Sequence, residues 1–471
     1  MERLPSIRVV LLTLVVAAVA SAAALGPLVG DALLGFDAYP LIAASRIDGL
    51  ADLAGTFREE LMDGRYPDGR FYRPLVHLSF ALDYELGGLE PVWYAATDVA
   101  LCALAAWLIG LCAMQFAGPG GAPRAAAAVG AALLFILHRS QIDVVPYAPR
   151  RADALAILFV AATALAVLRR ALGLAVAALA LCAFFSKESG VIALPVALAA
   201  AFARGDEGPR GALRAALAPA AALAIGIAVR TAVLGGLGGH AESDVAYVSG
   251  VDSRALGLWR ALTRDVVGGA WVVVGLLIAI VSVVAVGTGR RVLTLAAVWI
   301  LSALAITYAA ERFHDWYALP LVPGIALVSG VAVGGAVRGN GAVDRLGGLA
   351  AATLVVCMAA ASLGADQREA LRVAQRISAD QVERFTSLVA GESPGTDVTF
   401  EPWVLAVAMR AGAPPVFVHA PYSLSALGDL TLSRSPVVAV EAGRPTPSEP
   451  DAVVVRLVPG PPPADVVEAP R

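Results

Sequence analysis

Charge is scarce in this chain: Asp, Glu, Lys and Arg make up 15% of its 471 residues, against 58% hydrophobic. Soluble domains carry about a quarter charged residues. The deficit, with a mean hydropathy of +0.75, excludes a soluble globular protein and points to a polytopic membrane one. The formal net charge is −3 and no Lys/Arg-rich run occurs, which excludes nucleic acid as a partner. Cysteine is also sparse. Cys102, Cys112, Cys182 and Cys357 sit inside apolar runs, at spacings that suit neither a metal site nor a disulfide framework, and read as packing or lipid-facing residues. Lysine is all but absent: Lys187 is the only one, a shortage that a chain rich in Ala, Gly and Val explains as compositional bias. No internal repeat is visible, and low complexity is confined to Ala-rich helices whose small side chains allow close packing.

What is present is long apolar runs. A bilayer crossing needs about 20 apolar residues, and runs of that kind begin near Val9, Val92, Ala154, Ala212, Val266, Val292, Ala318 and Leu346. Three shorter ones cover Ala125–Leu137, Ala171–Phe185 and Gly190–Ala203, for about eleven spans in all. The first run follows basic residues but is long for a signal peptide, and reads as a retained helix. Arginines gather in alternate turns: Arg3 and Arg8, Arg124, Arg169 and Arg170, Arg204 to Arg214, Arg290 and Arg291, Arg338 and Arg345. The positive-inside rule then puts the N-terminus in the cytoplasm and the C-terminus outside, in a bacterial inner membrane. The expected organisation is a transmembrane domain over 1–365 and an extracytoplasmic α/β domain over 366–471 with a Pro-rich tail at Gly460–Ala464. The first outer loop, 31–91, should hold an interfacial helix near Ala51–Met62, where Leu53, Phe57 and Leu61 recur at helical spacing.

The charged motifs outside the arginine-rich turns fall on the opposite side. Asp37, in FDAYP, follows the first span closely. Its carboxylate is either a base held at the membrane surface or an acid capping the next helix. Arg73, in FYRPL beside Tyr72, is a planar cation next to a rigid Pro and suits a phosphate, or else pairs with an acid. Arg150 and Arg151 form a doublet before Asp153, which sits where a helix start favours an acid. Lys187 and Glu188 interrupt an apolar stretch, as functional or mutually paired ions do. Glu311, Arg312 and His314 make a further cluster in which a lone His argues weakly for a metal.

Taken in order, FDAYP, FYRPLVHLSFALDYELGGLEPVWY, PRRADALAILF, FFSKESGVIALP and ERFHDWYALPLVPG resemble the GT-C integral-membrane glycosyltransferases. Within these they are most similar to the branch holding the transmembrane and tetratricopeptide-repeat O-mannosyltransferases and their prokaryotic relatives. The motifs span nearly the whole membrane part, whereas the tetratricopeptide repeats are absent, so acceptor proteins of that branch do not carry over. The resemblance implies transfer of a sugar from a polyprenyl-phosphate donor to an extracytoplasmic acceptor, with inversion. It gives Asp37 the general-base role and Arg73, Arg150, Arg151, Lys187 and Arg312 the donor phosphate, with Tyr72, Asp153, Glu188, Glu311 and His314 in support. Where some GT-C enzymes have paired acids after the first helix, Asp37 is followed by Ala38, which argues against a divalent metal; no other cofactor is expected. The competing class is a transporter or flippase of a lipid-linked or anionic substrate, which also wants cations at helix ends. Against it, the ionisable residues gather on one face and no inverted repeat is evident.

Overall fold

The computed structural model describes residues 7–66, 69–205, 208–240, 270–284, 289–309, 315–339, 341–362, 365–408, 416–432, 436–444, 451–459 and 467–468. Glu311, Arg312 and His314, and the Pro-rich tail, lie outside these.

Helix α1 (Ile7–Leu25) is apolar from Val9 onward except for Thr13 and Ser21. After the first loop come α5 (Pro91–Met114), α6 (Gly121–Leu137), α7 (Arg151–Leu168), α8 (Gly173–Ser186), α9 (Ala193–Arg204) and α10 (Gly208–Leu234). They continue with α11 (Ala270–Val284), α12 (Gly289–Ala309), α13 (Val322–Arg338) and α14 (Ala342–Ser362). Among the described residues six helical segments are long and apolar enough to cross a membrane: Ile7–Leu28, Pro91–Met114, Ala148–Leu168, Gly208–Leu234, Gly289–Ala309 and Trp316–Arg338. Helices α6 and α8 are apolar but shorter. Outward-facing side chains are themselves apolar, as with Leu11, Val15 and Val19 of α1 and Leu213, Leu217 and Ile225 of α10; a lipid solvent leaves such a face at no cost.

Inside, packing relies on small residues. A Cβ at Gly330 of α13 would lie 2.5 Å from the Ala127 carbonyl oxygen of α6, and one at Gly110 of α5 would lie 2.5 Å from that of Ala128. Helix α6 is therefore gripped on two sides by backbones that approach too closely for any side chain.

The first loop carries α2 (Ala38–Ala44), α3 (Leu50–Gly55) and α4 (Pro74–Gly87). The interfacial helix is shorter than its spacing predicts. The chain leaves α3 after Gly55, and a 3₁₀ turn at Leu61–Gly64 with left-handed Met62 and Asp63 follows. Leu53 and Phe57 stay exposed while Leu61 turns into a core. A two-residue antiparallel pair, β1 (Gly69–Arg70) with β2 (Gly239–His240), ties this loop to the end of α10.

The polar helix α15 (Ala365–Ala390) leads to β3 (Asp397–Trp403), β4 (Ala406–Ala408), β5 (Val416–Phe417), α16 (Pro421–Thr431), β6 (Val437–Glu441), β7 (Val453–Pro459) and β8 (Val467–Glu468). Strands β3, β7 and β6 form a parallel sheet in that order, and β5, β4 and β8 a smaller antiparallel one. Central β7 is buried at Val453, Val454, Val455 and Leu457, the near-continuous apolar run that a parallel strand covered on both faces requires. This segment does not bury its apolar surface alone. Leu33, Tyr39, Leu41, Met62 and Phe80 of the first loop share one core with Phe385, Phe400, Leu424, Val437 and Leu457.

Candidate active site

A cavity of about 970 Å³ lies where one end of the helical bundle meets the first loop and the C-terminal segment, and Asp37, Arg73, Arg150, Asp153 and Lys187 all line it. Five residues singled out from four separate motifs thus face one space.

Asp37 immediately precedes α2, yet makes no side-chain capping bond to it. Of the two alternatives open in the sequence, capping is the one the geometry lacks. The carboxylate Oδ1 accepts a hydrogen bond from the Tyr422 hydroxyl of α16 at 2.6 Å.

The SKESG stretch forms a sharp break between α8 and α9. Lys187 is extended, Glu188–Ile192 makes a 3₁₀ turn, and a Cβ at Gly190 would lie 2.1 Å from the Ala183 carbonyl oxygen. This turn sends successive side chains to different partners. Lys187 Nζ lies 2.6 Å from both Asp153 oxygens and 5.0 Å from the Tyr317 ring centroid. Glu188 instead joins two arginines, accepting from Arg73 at 2.8 Å and from Arg230 at 2.6 Å. The acids fix the cations, and charge-assisted bonds of this kind hold both partners in orientation. Arg150 is held differently. Its guanidinium lies between the Tyr147 and Trp316 rings, 3.9 and 3.7 Å from their centroids, and donates to the Asp143 carbonyl.

Arg151 does not join this group. Helix α7 starts at Arg151, whose side chain, unlike that of Arg150 just outside the helix, enters the bundle, where it is fully buried. It lies 2.5 Å from Asp83 and 2.6 Å from Asp98 and donates to the Tyr94 carbonyl at 2.8 Å. Its donors are consumed by the protein, and the phosphate role expected for it is corrected to a structural one. Tyr72 is likewise buried, donating to the Phe57 carbonyl at 3.0 Å and standing edge-on to Phe185; it packs beneath the cavity wall without lining it.

Sequence reasoning passed over Arg230 and Tyr422. An arginine inside the apolar α10 run was itself a signal; a tyrosine in α16, 385 residues from Asp37, gave none. Trp316 and Tyr317 lay in a quoted motif without a role. Met62, another lining residue, is held by His77, whose Nε2 accepts the Met62 N–H at 3.3 Å. Burial pushes the His77 imidazole down to about 4, keeping it neutral as an acceptor must be. Among the described residues, no group of three or more His, Cys, Asp or Glu side chains could hold a metal ion.

No protein-family model and no curated protein sequence matches the chain. Among solved structures it is similar to ArnT from Cupriavidus metallidurans bound to undecaprenyl phosphate, with a TM-score of 0.52 and 15% identity over 92% of this chain and 86% of that one. The same protein in the apo state aligns at a TM-score of 0.49 and 14% identity, over 92% and 86%, too low to carry an argument. At such identity the likeness is one of fold alone, and it gives no support to the narrower likeness to O-mannosyltransferases.

Proposed function

We propose that this chain is an inverting glycosyltransferase of the bacterial inner membrane, moving a sugar from a polyprenyl-phosphate donor to an extracytoplasmic acceptor. The single observation that carries the reading is the cavity in which the Asp37 carboxylate faces the same space as Arg73, Arg150 and Lys187. The fold it shares with ArnT, solved with undecaprenyl phosphate, supports the donor class. About eleven spans, with the N-terminus cytoplasmic and the segment after residue 365 outside, belong to the same reading.

The chemistry follows from the residues. The acceptor hydroxyl gives its proton to the Asp37 carboxylate while its oxygen attacks the anomeric carbon. A carbon–oxygen bond forms on one face as the bond to the donor phosphate breaks on the other, which inverts configuration. The departing polyprenyl phosphate gains negative charge on the bridging oxygen. Arg73, Arg150 and Lys187 stabilise that charge, and their prior fixation by Glu188, the aromatic pair and Asp153 means little reorganisation at the moment of reaction. Water cannot do this as well, because its dipoles must first turn. No step calls for a metal.

The test is sugar transfer by purified full-length protein in detergent, using radiolabelled undecaprenyl-phosphate sugars and a cell-envelope extract, with Asp37→Asn in parallel. The expected result is transfer by the parent, and in Asp37→Asn a rate at least about a hundredfold lower with donor binding retained. Parent-like transfer by Asp37→Asn would remove the base; donor movement across vesicle membranes without transfer would favour a flippase.

A further inference from the structure

The C-terminal segment reaches the proposed base directly, and this contact has no counterpart in the motifs that drew attention to Asp37. Tyr422 sits in the first turn of α16, just after Pro421, whose fixed φ starts the helix. Its hydroxyl donates to Asp37 Oδ1 at 2.6 Å, and its ring stands edge-on to Tyr66 with centroids 6.4 Å apart. The helix is anchored at several further points. Asp429 binds Arg65 of the first loop at 2.6 Å and the Val437 N–H at 2.8 Å. Ser425 accepts the Ala439 N–H at 2.8 Å, and Leu424 and Leu427 are buried in the shared core. Just upstream, His419 meets Ser378 of α15 at 2.9 Å, and Ser378 in turn donates to the Leu33 carbonyl. A tyrosine so held presents its hydroxyl at a fixed point.

On the reading of Asp37 as the base, we infer that Tyr422 is a positioning residue: it aims the Asp37 carboxylate into the cavity and sets its basicity, so that the C-terminal segment is part of the reaction centre. A donor to the ionised carboxylate stabilises that form. Removing a charge-assisted bond of this length raises the carboxylate's titration by about one pH unit. Basicity set this way keeps Asp37 ionised and ready to accept a proton across a wider pH range.

The experiment compares the pH dependence of kcat/KM for the parent, Tyr422→Phe and Arg65→Gln, with undecaprenyl-phosphate sugar as donor and the full chain in detergent. Phenylalanine keeps the ring against Tyr66 and removes only the hydroxyl. Its acidic limb should move up by about one pH unit and its kcat should fall several-fold, with donor KM unchanged because the cations are untouched. Arg65→Gln breaks a clamp on the same helix and leaves the hydroxyl, so its acidic limb should stay with the parent's. An unmoved limb in Tyr422→Phe overturns the inference, as does an equal shift in Arg65→Gln, which would make the clamp alone sufficient. Full transfer by Asp37→Asn defeats the underlying reading instead, so the two failures are distinct.

Discussion

Two adjacent arginines should fail in opposite ways. Arg151 is sealed in the bundle with its side chain 0% exposed, against Asp83 at 1% and Asp98 at 6%. Replacing it with Met keeps much of the volume but strands two carboxylates. Breaking a buried pair from one side costs about 3–5 kcal/mol; here two acids lose one cation, which pushes toward the upper end, while protonation of one acid limits the loss. A cost of about 4 kcal/mol lowers the unfolding midpoint by roughly 4 °C in a chain of this size. Arg150→Met removes a guanidinium held between two rings at the cavity wall. Its midpoint should stay within about 1 °C of the parent, while transfer falls at least about tenfold through weaker phosphate stabilisation. The assay is intrinsic-fluorescence melting in detergent beside sugar transfer on the same preparations. A triple variant, Arg151→Met with Asp83→Asn and Asp98→Asn, should recover most of the lost stability, since it removes the stranded charges. If Arg151→Met melts with the parent and instead loses donor affinity, or if Arg150→Met is the destabilised one, the division of labour is refuted.

Gly190→Ala puts a methyl into the Ala183 backbone. It should cost about 3 kcal/mol or more, visible as a lower melting midpoint and poor accumulation of folded protein. Normal yield and midpoint would mean that the turn yields cheaply. The buried His419, whose imidazole burial lowers to about 4 from its ordinary 6.5, should make the fold acid-sensitive. Between those values the unfolded chain binds a proton that the folded one refuses. Stability is therefore full above pH 6.5 and declines as pH falls towards 4, by up to about 3 kcal/mol. Melting at pH 5 and 7.5 should show the difference narrowing in His419→Gln; an unchanged difference would assign the sensitivity elsewhere.

The polar breaks between apolar runs were legible because charge near a bilayer is costly enough to be kept only for a purpose. Arg73, Arg150, Asp153 and Lys187 converge for that reason. The partition of the arginine doublet was not legible. It depends on where α7 begins, with Arg151 inside and Arg150 outside, and on two acids, Asp83 of α4 and Asp98 of α5, which no local pattern links. Nor was the interfacial helix's length, since Leu53, Phe57 and Leu61 keep helical spacing although α3 ends at Gly55 and the backbone is extended at Glu60. Tyr422 was hidden because hydroxyl donors carry no charge signature and its partner is remote in the chain.

The core shared by the first loop and the C-terminal segment also has a consequence for biogenesis. Tyr39, Leu41 and Phe80 emerge early, while Val437, Val453 and Leu457, which share their core, are made only after the apolar helices between them. At about 5–20 residues per second, translation from Tyr94 to Leu457 takes roughly 20–70 s. Throughout that interval the membrane helices can insert and associate, but an apolar surface beside the Asp37 loop stays open to chaperones, proteases and its own neighbours. The cavity is thus closed by a segment synthesised well after its other walls, and a nascent chain holds its acid and its cations before it has the wall that brings them to order.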